Sequence, residues 1–123
     1  MQRTMPDGRP TTIATGADNE DVAETYLRGR GYRIIERNFK TKIGELDIVA
    51  REAGVLCFVE VRSRTSVHYG DAIESVDHFK RARVSRMAQL YLTWRRPDFA
   101  YVRFDVLGIT GDRITLIRDA WRL

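Results

Sequence analysis

The sequence predicts one α/β domain built on a central mixed five-stranded sheet that is flanked by helices. Two segments of the 123-residue chain repeat apolar residues at helical spacing, and five shorter segments resemble strands in their alternation of apolar and polar residues. Their order along the chain is α-β-β-β-α-β-β. With 43% hydrophobic and 31% charged residues, the chain has the composition of a single globular domain.

The first half of the chain carries one helix and three strands. Residues 1–15 mix Pro, Gly, Thr and Arg without periodicity, which indicates a flexible tail before a single domain at 16–123. Apolar residues recur at helical spacing over 18–30, with Asp18 as the expected N-cap and Gly31 as the expected stop. Three strands follow, "YRIIERNF", "IGELDIVARE" and "VLCFVEVRSR", and the short "EAG" turn makes the last two antiparallel.

The second half carries a long helix and a hairpin. The helix is expected from Ala72 to Trp94, and Pro97 prevents its continuation. The segments "YVRFDVLGI" and "RITLIRDAW" then pair around the turn "TGD". Within this hairpin, Asp105 is expected to hold Arg103 or an edge loop.

Composition limits the partners and the compartment. The formal net charge is +4 and the sequence pI is about 9.6, which is compatible with a nucleic-acid partner. No apolar run approaches the roughly 20 residues that cross a bilayer, and the first residues lack the apolar centre of a signal peptide. We therefore expect a cytoplasmic protein without a membrane partner. The single cysteine, Cys57, excludes an internal disulfide, and its apolar neighbours indicate an inert core thiol.

Asp47 and Glu60 are carboxylates in otherwise apolar strands. Because side chains alternate across a strand, Asp47 shares a face with Glu45, and Glu60 shares a face with Phe58 and Arg62. If antiparallel pairing brings Asp47 beside Glu60, the two groups repel and raise each other's pKa unless a cation lies between them. On this pattern alone, a divalent metal ion and nearby arginine partners explain the pair equally well.

A metal ion bound there would be Mg²⁺ or Mn²⁺. Carboxylate oxygens without a His or Cys cluster favour these hard ions over zinc. The backbone carbonyl of Val61 would add a ligand, and Arg62 would then lie beside a scissile phosphate. Such an ion acidifies a bound water and polarises a phosphodiester.

Two further charged side chains are expected to point inward. Glu20 shares the apolar stripe of the first helix with Ala23 and Leu27. Lys80 shares a stripe of the long helix with Met87, from which it can reach across the sheet towards the carboxylates. Structural alternatives exist for both, namely a capping or solvated glutamate and a lysine stem buried beneath a solvated amine.

Five blocks of the sequence carry a resemblance to a known family: "NEDVAETYLRGRGYRIIERN", "GELDIVA", "FVEVRSR", "YGDAIESVDHFKRARVSRMAQLYL" and "RFDV". From about Gly16 to the C-terminus, their order and spacing resemble the bacterial YraN-like family of small uncharacterised proteins. That family is similar in turn to the archaeal Holliday junction resolvases and to the PD-(D/E)XK nuclease superfamily, which has a restriction-endonuclease-like fold.

The resemblance implies metal-dependent cleavage of phosphodiester bonds. It matches Glu20 to the helix glutamate of the superfamily, Asp47 to the motif aspartate, and Glu60 with Arg62 to the E-x-K element. Because arginine stays protonated where the superfamily has lysine, Arg62 cannot act as a general base, although it can stabilise charge on the phosphate. Proton removal then falls to the metal-bound water or to another group, for which Lys80 is the candidate.

Two functions of different kinds follow from these observations. The first is a Mg²⁺- or Mn²⁺-dependent endonuclease acting on DNA, including structured or branched DNA, for which two symmetric cuts favour a homodimer. The second is a catalytically weak or inactive nucleic-acid-binding protein that keeps the nuclease fold, and Arg62 is the best argument for it. A scaffold protein without nucleic-acid affinity is a third, weaker hypothesis.

Overall fold

The computed structural model describes residues 16–64 and 78–122, with side chains over 18–63 and 79–122. The predicted tail at 1–15 and the predicted start of the long helix at 72–77 lie outside the described residues. The predicted order of elements is confirmed: α1 (Gly16–Gly29), β1 (Arg33–Thr41), β2 (Gly44–Glu52), β3 (Val55–Arg64), α2 (His78–Arg95), β4 (Tyr101–Thr110) and β5 (Arg113–Trp121).

The sheet is mixed, as predicted, and its five strands lie in chain order. The pairs β1–β2, β2–β3 and β4–β5 are antiparallel, because short turns connect their strands. The β3–β4 pair is parallel, since the chain returns through α2 between these two strands. Glu60, near the end of β3, therefore lies on the middle strand of the sheet.

Each face of the sheet is covered by one helix. On the α1 face, one buried cluster combines Ala23 and Leu27 with residues of β2, β3 and β4. On the α2 face, a second cluster packs Tyr91 against Phe39 and Phe58, with ring centroids 5.1 and 5.7 Å away. Edge-to-face ring contacts of this kind add to the free energy gained by burying the rings. The sheet thus has two apolar faces and a defined position for each helix.

The helix ends show one departure from prediction. Asp18 is not the N-cap, because α1 already begins at Gly16 and Asp18 lies in its first turn, where its charge still favours the helix dipole. The predicted stop is confirmed: α1 ends at Gly29, and Gly31 adopts a φ of 93°. Neither described helix is long and apolar enough to cross a membrane.

A buried polar network joins β4 to its neighbours. Asp105 is fully buried and accepts hydrogen bonds from the Tyr32 hydroxyl at 2.7 Å, from Arg103 Nε at 2.8 Å and from the Asp119 N–H at 2.9 Å. Arg103 also donates to Glu52 at 2.8 Å. Asp105 therefore holds Arg103, as the sequence predicts, and in place of an edge loop it holds the edge strand β5.

Candidate metal centre

The candidate centre begins where β2 and β3 stop pairing. Their paired residues run from Glu52 opposite Val55 to Ile48 opposite Val59. One step beyond this ladder, Asp47 Oδ2 accepts the backbone N–H of Val61 across the gap, at 2.9 Å. The expectation that antiparallel pairing brings Asp47 to the strand that carries Glu60 is confirmed.

The alternation of β2 changes at Asp47. Leu46, which the period-2 pattern places on the face of Ile48, packs instead with Phe39 in the cluster under α2. Ile48 and Ala50 pack in the cluster under α1, as expected. The irregularity coincides with Asp47, the residue whose side chain accepts the Val61 N–H of β3.

Three carboxylates meet at this strand end. Glu20, Glu45 and Asp47 each offer an oxygen atom that lies within 4.8 Å of the other two. Glu20 reaches the group from α1, whose Ala23 and Leu27 are fully buried and so fix the orientation of its stripe. The inward direction predicted for Glu20 is confirmed, since only 12% of its side chain is exposed.

Glu60 lies next to this group, and two cationic side chains approach it. It is 3% exposed, and its Oε1 lies 3.1 Å from Lys80 Nζ and 3.9 Å from Arg62 Nη1. The prediction that Lys80 reaches the carboxylates from the long helix is therefore confirmed. Val61 contacts Asp47 through its N–H, whereas its predicted role as a carbonyl ligand stays a prediction.

The electrostatics of Asp47 differ from those of an ordinary surface carboxyl. Burial and the charge of Glu60 raise the pKa of Asp47 to about 8, although the Val61 N–H opposes this shift. A hydrogen bond with Glu60 and the charge of Glu20 raise this pKa further. The pKa of Glu45 is also raised, first by burial and then by the charge of Asp47. Without a bound cation, the site thus favours a proton on one of its carboxyls.

Glu45, Asp47 and Glu60 line an open cleft of about 220 Å³. Its walls come from the start of β2, from β3 and from α2. The lining residues are Gly44, Glu45, Asp47, Glu60, Lys80, Arg83 and Val84. Gly44 lies so close to α2 that a Cβ atom there would be 3.3 Å from Met87 Cγ. A side chain at Gly44 would therefore require Met87 to shift by a few tenths of an ångström.

Sequence reasoning missed one residue that positions the site and underestimated another. Arg37 on β1 lies 3.6 Å from Glu20, and it also pairs with Asp21 at 2.7 Å and Glu24 at 3.2 Å. This residue ties α1 to the sheet, and no local pattern reveals a contact between two separate elements. Glu45, which the strand pattern places on the face of Asp47, approaches Lys40 at 3.9 Å and also belongs to the acidic group.

Comparison with known proteins assigns the chain to a family. The model of the uncharacterised protein family UPF0102 matches residues 19–109. The chain belongs to the UPF0102 family. The YraN-like resemblance predicted from the sequence is thereby confirmed, and the matched region contains every candidate site residue from Glu20 to Lys80.

Relatives of the UPF0102 family match nearly the whole chain. A UPF0102 protein of Persephonella marina is 44% identical over 108 residues, which cover 88% of this chain and 93% of the relative. A UPF0102 protein of Ralstonia pickettii is 42% identical over 117 residues, covering 92% and 94% of the two chains. One of Halorhodospira halophila is 44% identical over 107 residues, covering 87% and 86%.

Proposed function

We propose that this UPF0102 protein is a Mg²⁺- or Mn²⁺-dependent endonuclease that hydrolyses phosphodiester bonds in DNA, with the fold and motif of the PD-(D/E)XK nucleases. The main support is that Glu20 of α1 meets Glu45 and Asp47 of β2, and that Glu60 of β3 interacts with Asp47 in the open cleft. Asp47 is central to this arrangement. No described lysine or arginine forms an ion pair with it, and its partners are the Val61 N–H and Glu60.

The donor set fits a hard divalent ion. Glu20, Glu45 and Asp47, whose oxygens converge, would hold it, with Glu60 and the Val61 carbonyl as further oxygen donors. When bound, the ion would acidify a water molecule and polarise the phosphodiester. Its positive charge would also offset the repulsion between Asp47 and Glu60, so that neither carboxylate would need to be protonated.

The cations of the cleft have separate tasks in this proposal. Arg62 stands where the E-x-K element has lysine, and a guanidinium does not provide the lysine's amine. Lys80 of α2 provides an amine instead, because its Nζ lies 3.1 Å from Glu60. In that position Lys80 can hold Glu60 in place and accept or deliver a proton during hydrolysis. Arg62 and Arg83 add fixed positive charge, which stabilises the negative charge that develops on the phosphate.

A cleavage assay over linear, flapped and four-way DNA with Mn²⁺ tests the proposal. We expect cleavage by the wild-type protein, and a loss of about 100-fold or more in Asp47→Asn and Glu60→Gln, because each variant removes a charged ligand. Glu36→Gln is the matched control, since Glu36 is a partly exposed carboxylate that pairs with Arg95 away from the cleft.

The outcomes separate the two functions. Cleavage that persists unchanged in both cleft variants, or no cleavage of any substrate, contradicts the proposal. Salt-sensitive DNA binding without cleavage, unaffected by Mn²⁺ and by Asp47→Asn, would instead support a binding protein that has lost the chemistry.

A further inference from the structure

The Arg37 side chain joins the acidic group to two further carboxylates of α1. Its Nη1 donates to Asp21 Oδ1 at 2.7 Å and to Glu24 Oε1 at 3.2 Å. Its Nη2 lies 3.6 Å from Glu20 Oε1, which is close enough for an ion pair but too far for a hydrogen bond. The guanidinium is therefore bonded to the two carboxylates outside the acidic group, and it holds Glu20 by charge alone.

The backbone of Arg37 is fixed next to the candidate centre. In the β1–β2 ladder, Arg37 stands opposite Ile48, which directly follows Asp47 in the sequence. Glu20 belongs to a separate element, so its distance from Asp47 depends on how α1 lies on the sheet. Arg37 contacts the part of α1 that carries Glu20 and thereby links the helix to the strand position beside Asp47.

The hydrogen bonding of Arg37 is incomplete. Its Nε is buried and has no hydrogen-bond partner within the part of the chain that the structure describes. Arg95 of α2 differs, because its Nε and Nη2 bind both oxygens of Glu36 on the same strand β1, at 3.1 and 3.0 Å. A buried donor without a partner costs free energy, so the placement of Arg37 is not the one that best attaches a helix to the sheet.

We infer that Arg37 is a positioning residue of the metal centre, which holds Glu20 at the distance from Asp47 that lets both bind one divalent ion. This inference rests on the proposed function and adds a residue that touches neither the ion nor the substrate. Because Asp21 and Glu24 take the hydrogen bonds of Nη1, the Glu20 carboxylate keeps its oxygens for the ion. Residues that orient metal ligands in this way contribute about 10- to 100-fold to metal affinity.

Calorimetric titration of Mn²⁺ into Arg37→Gln tests the inference by the sign of the change. A nearby cation repels Mn²⁺, so the loss of its charge alone would tighten binding. If Arg37 positions Glu20, binding should instead weaken about tenfold. Arg37→Lys keeps the charge but lacks the planar guanidinium, and it should weaken binding as well. In a Glu20→Gln background, Arg37→Gln should have no further effect, because the ligand that it positions is absent.

Arg95→Gln is the matched control, since it removes an arginine that joins the other helix to the same strand through Glu36. We expect it to bind Mn²⁺ as the wild type does. Unchanged or tighter binding in either Arg37 variant, or an equal loss in the Glu20→Gln background, would overturn the inference alone if Asp47→Asn still weakens binding. The absence of saturable Mn²⁺ binding in the wild type would overturn both the inference and the proposed metal centre.

Discussion

Asp105 and Asp47 are carboxylates of the same sheet, the first buried and the second half-buried, and their partners differ. Asp105 is enclosed by a hydroxyl, a guanidinium and a backbone N–H, so its charge and its hydrogen bonds are matched within the fold. Asp47 has one backbone N–H and faces Glu60, another carboxyl, at an open cleft. A buried charge with a full set of partners supports the fold, whereas like charges gathered at an opening indicate a cation supplied from solution.

The two regions also respond to pH in opposite directions. Burial opposes the ionisation of Glu52 in the Asp105 network, but hydrogen bonds from Arg118 and Arg103 outweigh it, so the pKa of Glu52 is lowered. Burial and Glu60 raise the pKa of Asp47 instead. Glu52 therefore stabilises the protein in its ionised form, while the metal-free cleft is most stable when it holds a proton.

The largest effect on stability is expected from Asp105→Asn. This change keeps the shape of the side chain but removes the fully buried partner of Arg103, which then keeps only Glu52, and it costs about 2 kcal/mol. Urea unfolding followed by circular dichroism measures the free energy of unfolding.

Asp119→Asn serves as the control for that measurement. Asp119 is an exposed member of the same region, and Asn also tolerates its φ of 58°. We expect this variant to unfold at nearly the same urea concentration as the wild type. Equal stability of the Asp105→Asn variant and the wild type would show that the network contributes little to the fold.

A smaller effect on stability is expected from Asp47→Asn, and its size depends on pH. The pKa of Asp47 is about 8 in the folded protein against an ordinary value of 3.8, so the folded state binds more protons between these values. Its stabilising contribution is fully present below about pH 4 and is lost as pH rises towards 8. In EDTA, the melting temperature of the wild type should therefore fall by several degrees from about pH 5 to pH 8.

Asp47→Asn should flatten this pH profile, because an amide does not titrate. Glu52 does not interfere, since its lowered pKa confines its effect to more acidic solutions. Thermal unfolding of both proteins across the same pH range provides the comparison. Parallel profiles would mean that Asp47 ionises as an ordinary carboxyl and that Glu60 does not repel it.

The sequence predicted the helices and strands well because the periodic segments are long and most of the turns between them are short. It also indicated Glu20, Asp47, Glu60 and Lys80, since a charged residue on an otherwise apolar stripe must find a partner or a ligand. The change of face at Leu46 could not be predicted, because it depends on where β2 and β3 separate. The contact of Arg37 with α1 depends equally on how two distant elements pack.

Calorimetric titration of Mn²⁺ into the wild-type protein and into Asp47→Asn tests the central claim most directly. The claim is that the cleft carboxylates are placed to hold a divalent ion. It predicts saturable binding by the wild type that weakens at least about tenfold in Asp47→Asn and is unchanged in the Glu36→Gln control. The absence of saturable Mn²⁺ binding in the wild type, or equal affinity in Asp47→Asn, would contradict it.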